Sequence, residues 1–490
     1  MEPITWTGSL GNVLDTPFQW LIGLFCIALL VMIVLGVVSS GQRIITNPDG
    51  TLSSAGGPYD MAASAVRWLG LALIALVLIY IVVGVLMGPK TGGIIGGMSQ
   101  RLLPVWIALI ALFAASITYK RKLGLYGKLF DSTVGMIGFA LVMFWVFAGI
   151  MAGPLDWIAT HDPLSQVSGM KNKLPGTPLR GAEDGDYAWY LLGGDNLARD
   201  VFSRLFEGAW IVVLIAPFAT LFAFMVGITL GLPAGYYGGR LDTFLSFLAN
   251  LILAFPVILL FYLLVTPEIV ATGIPNYMAT VLFVFPLVFV CILLNSRFYT
   301  QPQFRTKLLI VVLGLMAWVY LSLISTDGYI VKNAEVSILG LPSAIDILNL
   351  PPNILVVFVS VVFVNAPTVF RIVRGLALDI KTRDYVAAAQ TRGEGPWYIM
   401  LWEILPNARG PLIVDFCLRI GYTTILLGTL GFFGLGLESE SPDWGTTINA
   451  GRRLLQLYPH AAVVPALALM SLVLGLNLLA DGLREESLRD

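Results

Sequence analysis

The sequence predicts an all-α polytopic membrane protein, and three observations carry that prediction. The 490-residue chain is 57% hydrophobic and only 12% charged, against roughly 25% charged residues in soluble domains. Its mean hydropathy is +0.84. The apolar residues also gather into runs of 18 or more with almost no charge, each long enough to cross a hydrocarbon core of roughly 30 Å as a helix. A backbone at that depth must satisfy its own hydrogen bonds, which the helix does within one segment.

About eleven such spans follow in order, near residues 18–38, 67–87, 102–119, 134–152, 211–232, 243–266, 278–294, 308–325, 354–371, 412–437 and 461–481. Between the first two, "TNPDGTLSSAGGP" (46–58) is rich in turn formers and reads as a loop. Lys and Arg set the orientation. Lys120, Arg121, Lys122 and Lys128 follow the third span; Arg297, Arg305 and Lys307 follow the seventh; Arg371, Arg374, Lys381, Arg383, Arg392 and Arg409 follow the ninth. With eleven spans these loops share one side, the cytoplasm, and loop 267–277 on the other side carries no basic residue. The N-terminus and the long loop 153–210 then lie outside and the C-terminus inside. The opening "MEPITWTGSLG" has no basic stretch of the kind that begins a signal peptide.

Several functions find no support. Net charge is −1, so no basic field invites nucleic acid. Cys26, Cys291 and Cys417 sit inside apolar runs as packing residues, and His161 and His460 are far apart, so neither a disulfide framework nor a metal site is expected. No phosphate loop occurs, since "GPKTGG" (88–93) has the right residues at the wrong spacing, and neither H-E-x-x-H nor G-x-S-x-G is present. No catalytic residue and no cofactor is expected.

One polar stretch breaks the apolar pattern. In "DYVAAAQTRGEGPWYIMLWEILPNARG" (384–410), Asp384 is suited to cap a helix over 386–392. Gly393 ends it, and Pro396 opens a second helix. Trp397, Met400, Leu401 and Ile404 recur at i, i+3, i+4 and i+7, and Pro406 stops or kinks that helix. The pattern predicts a helix-turn-helix on the cytoplasmic face. By pattern alone it serves equally as an interfacial pair lying on lipid or as a docking surface for a soluble partner.

"AAAQTRG" followed by "EILPN" resembles the EAA loop of the permease subunits of ABC importers. Ala388, Ala389, Gly393, Leu405 and Pro406 match that pattern, and its leading Glu falls at Ala387, near Asp384. Four further segments resemble the C-type permease of the dipeptide/oligopeptide branch: "GGDNLARDVFSRLFEGA" (193–209), with Ala198 where glycine is usual, "GLPAGYYGGRLDTFLSFLANLILAFP" (231–256), "GFFGLGLESESPDWGTTINAGRR" (431–453) and "GLNLLADGLREESLRD" (475–490). The resemblance implies a six-helix type I importer core within 121–490, with helices inserted at about 267–353 and an additional region of about three helices over 1–120. It also implies a homologous second permease, two cytoplasmic ATP-binding subunits, an extracytoplasmic substrate-binding protein and a lipid membrane as partners. By the family's example the first helix of the 384–406 segment docks into an ATPase cleft, and the substrate is a di- or oligopeptide or a related small solute.

Three other places carry alternatives. Asp415 and Arg419, i and i+4 in one span, are either a polar spot on the translocation path or a self-neutralising pair. "GDNLARDVFSRLF" (194–206) places Leu197, Val201 and Leu205 on one helical face with Arg199 and Arg204 elsewhere; it reads as an outer amphipathic helix on the membrane or as a contact for the substrate-delivering protein. Asp443 and Trp444 make a local turn or touch substrate. Beyond the importer, an ion-coupled carrier acting alone and a membrane scaffold without transport are the competing functions.

Overall fold

The computed structural model describes residues 2–38, 44–46, 52–54, 57–182, 186–324, 352–435 and 440–487. Part of the 46–58 loop, most of the second half of the 267–353 insertion, the last residues expected of the 308–325 and 412–437 spans, and the last three residues of the chain lie outside these. Among the described residues ten helices are long and apolar enough to span a membrane, and a bent pair makes an eleventh. In order the helices are α1 (Gly11–Val38), α2 (Pro58–Met87), α3 (Pro89–Arg101), α4 (Leu103–Tyr119), α5 (Thr133–Ala152), α6 (Val201–Tyr237), α7 (Gly239–Leu253), α8 (Val257–Val265), α9 (Ile274–Arg297), α10 (Pro302–Ile324), α11 (Pro352–Ile380), α12 (Asp384–Thr391), α13 (residues 396–407), α14 (Arg409–Phe432), α15 (Trp444–Arg452) and α16 (His460–Ser487). Every span expected from the sequence has its helix. The 243–266 span is the bent pair α7–α8, folded by 80° at a break that ends on Pro256. A proline there cannot donate to a continuing helix.

The chain divides into two compact units. The first comprises residues 1–106 and 157–202. In it α1 packs on α2 through Asp15, whose carboxylate accepts from the Tyr80 hydroxyl at 2.5 Å and the Thr7 hydroxyl at 3.0 Å. Helix α3 lies so close to α2 that a Cβ at Gly84 or Gly92 would fall within 2.6 Å of the other helix's backbone. The "GPKTGG" stretch is thus the start of a short glycine-packed helix. Its neighbours include the N-terminal segment, since Ile94 and Ile95 donate their amides to the carbonyls of Thr5 and Trp6 at 3.0 and 3.1 Å. That segment is tied in turn to loop 157–202, where the Ile4 amide reaches the Gly176 carbonyl at 3.0 Å. The N-terminus and loop 157–202, which charge placement puts outside, fold together with α3. Two short antiparallel strand pairs complete the unit, Ile44–Thr46 with Leu52–Ser54 and Thr177–Pro178 with Trp189–Tyr190.

The second unit comprises residues 107–156 and 203–490. Helix α16 packs along α5 and α14, and α11 along α7, α8 and α9. Its main apolar core joins α6, α8, α9, α11 and α14, with Ala219, Ala223, Phe261, Ala279 and Val359 fully or almost fully buried. At the end where the C-terminus lies, Leu129 and Phe130 of the first basic loop pack against Ala480 and Leu483. Charge placement puts both that loop and the C-terminus in the cytoplasm.

At the opposite end the "SPDWG" motif forms the local turn that opens α15. The Asp443 side chain caps α15 by accepting from the Thr446 amide at 3.0 Å. Burial pushes its carboxyl up, against the pull of Thr446 and of the Arg204 guanidinium. Trp444 is buried, donates its indole N–H to the Leu205 carbonyl at 2.8 Å and lies edge-on to Trp145.

The outer amphipathic helix expected over 194–206 is not formed. Helix α6 begins only at Val201, and 194–200 is a tight turn wound around one carboxylate. Asp195 accepts from the amides of Leu197 and Arg199 at 2.8 and 2.9 Å and from the Arg199 guanidinium at 2.7 Å. Arg199 and Arg204 are only 2% and 1% exposed, so neither lies on a polar outer face. Arg204 donates instead to the carbonyls of Glu440 and Ser441 and to the Thr447 hydroxyl. Helical periodicity failed here because aspartate competes for its own backbone amides, the same chemistry that makes it a good turn former.

Candidate functional site

The second unit carries the polar interruption as a helix pair. Helix α12 starts one residue earlier than a capping Asp384 requires: Arg383 holds the extended cap position without a side-chain cap bond, and Asp384 is the first helical residue. Its carboxylate there still favours the positive helix end. The alanines divide by direction. Val386 and Ala389 are fully buried, while Ala387 and Ala388 are exposed.

The turn is closed twice. Gly393 donates its amide to the Gln390 carbonyl at 2.9 Å, and Glu394 donates to the Ala389 carbonyl at 3.2 Å. This double closure requires a left-handed residue, and Gly393 has φ +82°. Across the turn the Arg392 guanidinium meets the Glu403 carboxylate at 2.9 Å. Helix α13 then opens with Pro396 in its first turn and widens into a π turn over Ile399–Ile404. There the Leu405 amide bonds back to Met400. Pro406 follows with no amide to give, and a widened turn before it relieves the clash of its ring with the preceding carbonyls.

The pair is seated on the bundle. Val386, Ala389, Ile399, Met400, Leu401 and Ile404 share one apolar cluster with Val369, Val373 and Ala377 of α11 and Leu232 of α6. Trp397, the remaining member of the expected stripe, lies at the exposed edge. Leu405 borders the cluster, and Pro406 faces out. Directed bonds add to the seat. The Lys381 ammonium donates to the Gly235 carbonyl at 2.8 Å at the C-terminal end of α6, where the helix dipole favours a cation. The Trp402 indole donates to the Ser296 hydroxyl at 3.0 Å, with the Arg297 guanidinium 5.0 Å over its ring. Loops 295–307 and 371–409, placed on one side by their charge, therefore meet. Behind the seat, α6 and α11 touch through glycines: a Cβ at Gly231 or Gly235 would come within 2.9 Å of α11. The Arg374 guanidinium grips both oxygens of Asp242, locking α11 to α7.

Asp415 and Arg419 lie within α14, apart from the helix pair. They form an ion pair within α14 at 2.6 Å, with Arg419 7% exposed. This is the self-neutralising arrangement. Sequence reading did not find a second polar cluster in the same bundle. The Asn365 amide of α11 donates to the Thr423 hydroxyl of α14 at 3.3 Å, and Thr423 lies 3.4 Å from the Thr220 hydroxyl of α6. The available signal was a lone asparagine in the middle of an apolar span. Among the described residues no group of three or more His, Cys, Asp or Glu side chains is placed to hold a metal.

Fold and site define a polytopic helical membrane protein with a rigid helix pair seated under its bundle. Residues 227–485 match the family of binding-protein-dependent transport system inner membrane components, and the chain belongs to that family. It is a multi-pass inner-membrane protein and a permease component of an ABC importer. Among its relatives, the glutathione transport system permease protein GsiD of Pectobacterium atrosepticum is 28% identical over 302 residues, 62% of this chain and 73% of the relative. The dipeptide transport system permease protein DppC of Haemophilus influenzae is 27% identical over 350 residues, 71% of this chain and 88% of the relative. The di/tripeptide transport system permease protein DppC of Pseudomonas aeruginosa is 25% identical over 370 residues, 76% and 93% of the two chains.

Proposed function

We propose that this permease imports short peptides or chemically related small solutes, and that residues 384–407 are the element through which a cytoplasmic ATPase moves it. The chain would pair with a homologous second permease, two ATP-binding subunits and an extracytoplasmic substrate-binding protein. The observation that carries the coupling role is the division of α12. Its inner face, Val386 and Ala389, is locked into the bundle, while Ala387, Ala388 and Gly393 are presented outward without bulk. Small outward side chains let a groove close tightly, and a welded inner face passes displacement to α6, α11 and α14 without slack. The Glu of the family pattern would stand at exposed Ala387, so that contact is made here by backbone and methyl groups, with Asp384 as the nearby acid. Asp415 and Arg419 would stabilise α14 rather than contact substrate.

The substrate class rests on the relatives, whose names share dipeptides, tripeptides and glutathione, itself a tripeptide. Of the acids within the spans that an ion-coupled carrier could use, Asp415 is paired with Arg419 at 2.6 Å. Reconstitution decides between the readings. Vesicles holding both permeases, both ATPases and the binding protein are expected to accumulate alanyl-alanine only with internal-face ATP. A Cys replacing Ala388 is expected to cross-link to an ATPase subunit. Accumulation without ATP would establish the carrier, and cross-linking without uptake of any solute would establish a scaffold.

A further inference from the structure

The first unit contains a cavity of about 600 Å³ whose lining includes Glu2, Thr5, Ser9, Asn12, Lys90 and Trp189. Sites for small molecules run from roughly 300 to 1,000 Å³. We propose that this cavity binds a small zwitterion, such as a short peptide with free ends, on the outer face of the membrane. The substrate identity rests on the reading of peptide import above; the zwitterion chemistry rests on the cavity alone.

Four features carry the assignment. The wall is pre-formed, because main-chain bonds join the N-terminal segment to α3 and to loop 157–202. The charges are one acid and one base, Glu2 and Lys90. Among the described residues neither the Glu2 carboxylate nor the Lys90 ammonium has a hydrogen bond or ion pair, so both are available to a ligand. The polar remainder consists of two hydroxyls and an amide, groups that accept or donate to a peptide bond. Finally, the Trp189 indole N–H is already committed to the Glu2 carbonyl at 3.2 Å, which fixes the ring as a flat apolar contact. Lys90 would hold the ligand carboxylate, Glu2 its ammonium, and Trp189 a side chain. No part of this wall falls within the family match at 227–485.

The test is equilibrium dialysis of radiolabelled alanyl-alanine against the purified full chain in lipid nanodiscs, without the other subunits. Saturable binding is expected. Lys90→Gln and Glu2→Gln are each expected to weaken it about tenfold or more, the effect of losing one charge-assisted bond. Lys90→Arg should retain binding, and N-acetyl-alanyl-alanine amide should not compete. Both residues are exposed, so the variants fold, which resistance of loop 157–202 to protease verifies. No binding at millimolar peptide, or binding indifferent to both substitutions and to blocked ends, overturns the proposal. Uptake by the full assembly separates it from the transport reading. Import without binding here removes the site alone, whereas binding here with no import of peptides removes peptide import alone.

Discussion

The helix pair at 384–407 and the loop 157–202 are both polar interruptions between spans, and they achieve rigidity by opposite means. The helix pair is apolar inside and bare outside. Its fully buried residues are Val386, Ala389, Met400 and Ile404, and its charged groups, such as Arg392 and Arg383, stay at the surface. The loop inverts this. Asp195, Arg199 and Asp200 are all but fully buried, and each is held by bonds to neighbours in the same unit. His161 lies between the Asp200 carboxylate at 3.2 Å and the Tyr187 carbonyl at 2.9 Å. A close-packed apolar seat holds by shape and carries force; a buried polar network holds one geometry by directed bonds and fails when a member is removed. The difference suits an element proposed to move with its bundle and one proposed to hold a wall in place.

The largest expected effect breaks the helix pair itself. Gly393→Pro forbids the positive φ and removes the amide that closes the turn, and Ala389→Trp puts an indole where the methyl group is already fully buried. The double variant is expected to insert in the membrane normally and to lose ATP-driven uptake to background, measured in the reconstituted vesicles. Uptake near the wild-type rate would show that α12 need not be seated to be driven.

Next comes the polar network. Asp195→Ala leaves the Arg199 guanidinium buried without its partner and opens the turn at 194–200. Breaking a buried pair from one side costs roughly 3–5 kcal/mol. Protease cleavage within 157–202 should therefore rise by orders of magnitude, while the helix pair at 384–407 remains protected. The double variant Asp195→Asn with Arg199→Met should recover part of the loss. Equal exposure of both regions would contradict the separate construction described above. A smaller effect is expected of Met400→Ala, which deletes a fully buried side chain from the apolar seat. Such truncations cost roughly 2–5 kcal/mol. Hydrogen exchange should accelerate across α12 and α13 and leave loop 157–202 unchanged.

The two regions also differed in how far they could be read from sequence. The helix pair is built from local rules: a spacing of i, i+3, i+4, i+7, a glycine after the last helical residue, and a proline in the first turn. Met400, Leu401, Ile404, Gly393 and Pro396 all stand where those rules put them. The spans were legible for the same reason, since hydrophobic length is a local property. Loop 157–202 obeys no period. Its structure depends on contacts between residues far apart in the chain, such as Ile4 with Gly176 and Trp189 with Glu2, and on Asp195 bonding its own backbone. No helix was expected at the glycines of α3, because the reason for them, a close approach to Gly84, lies on another helix. The π turn at Ile399–Ile404 had a local cause in Pro406, yet the same proline is compatible with a simple kink.

The smallest expected effect is a gain. Ala198 holds φ +65°, a conformation that places an ordinary Cβ against backbone and that favours glycine. The strain persists because Asp195 surrounds it: the Ala198 amide donates to the Asp195 carbonyl at 3.1 Å, and its own carbonyl accepts from the Tyr190 hydroxyl at 3.2 Å. Left-handed backbone costs a residue with a Cβ roughly 1–2 kcal/mol, and glycine returns part of that in unfolded-chain entropy. Ala198→Gly is therefore expected to stabilise the 194–200 turn by about 1 kcal/mol, seen as slower hydrogen exchange at Leu197 and Arg199. The same change at Ala388, which is helical, should instead destabilise α12 by about 1 kcal/mol. The opposite signs of one substitution at two alanines measure the contrast between the regions, because one network imposes a strained backbone and the other helix accepts its preferred one. Destabilisation at both positions would mean that the buried methyl of Ala198 contributes more through packing than its backbone loses through strain.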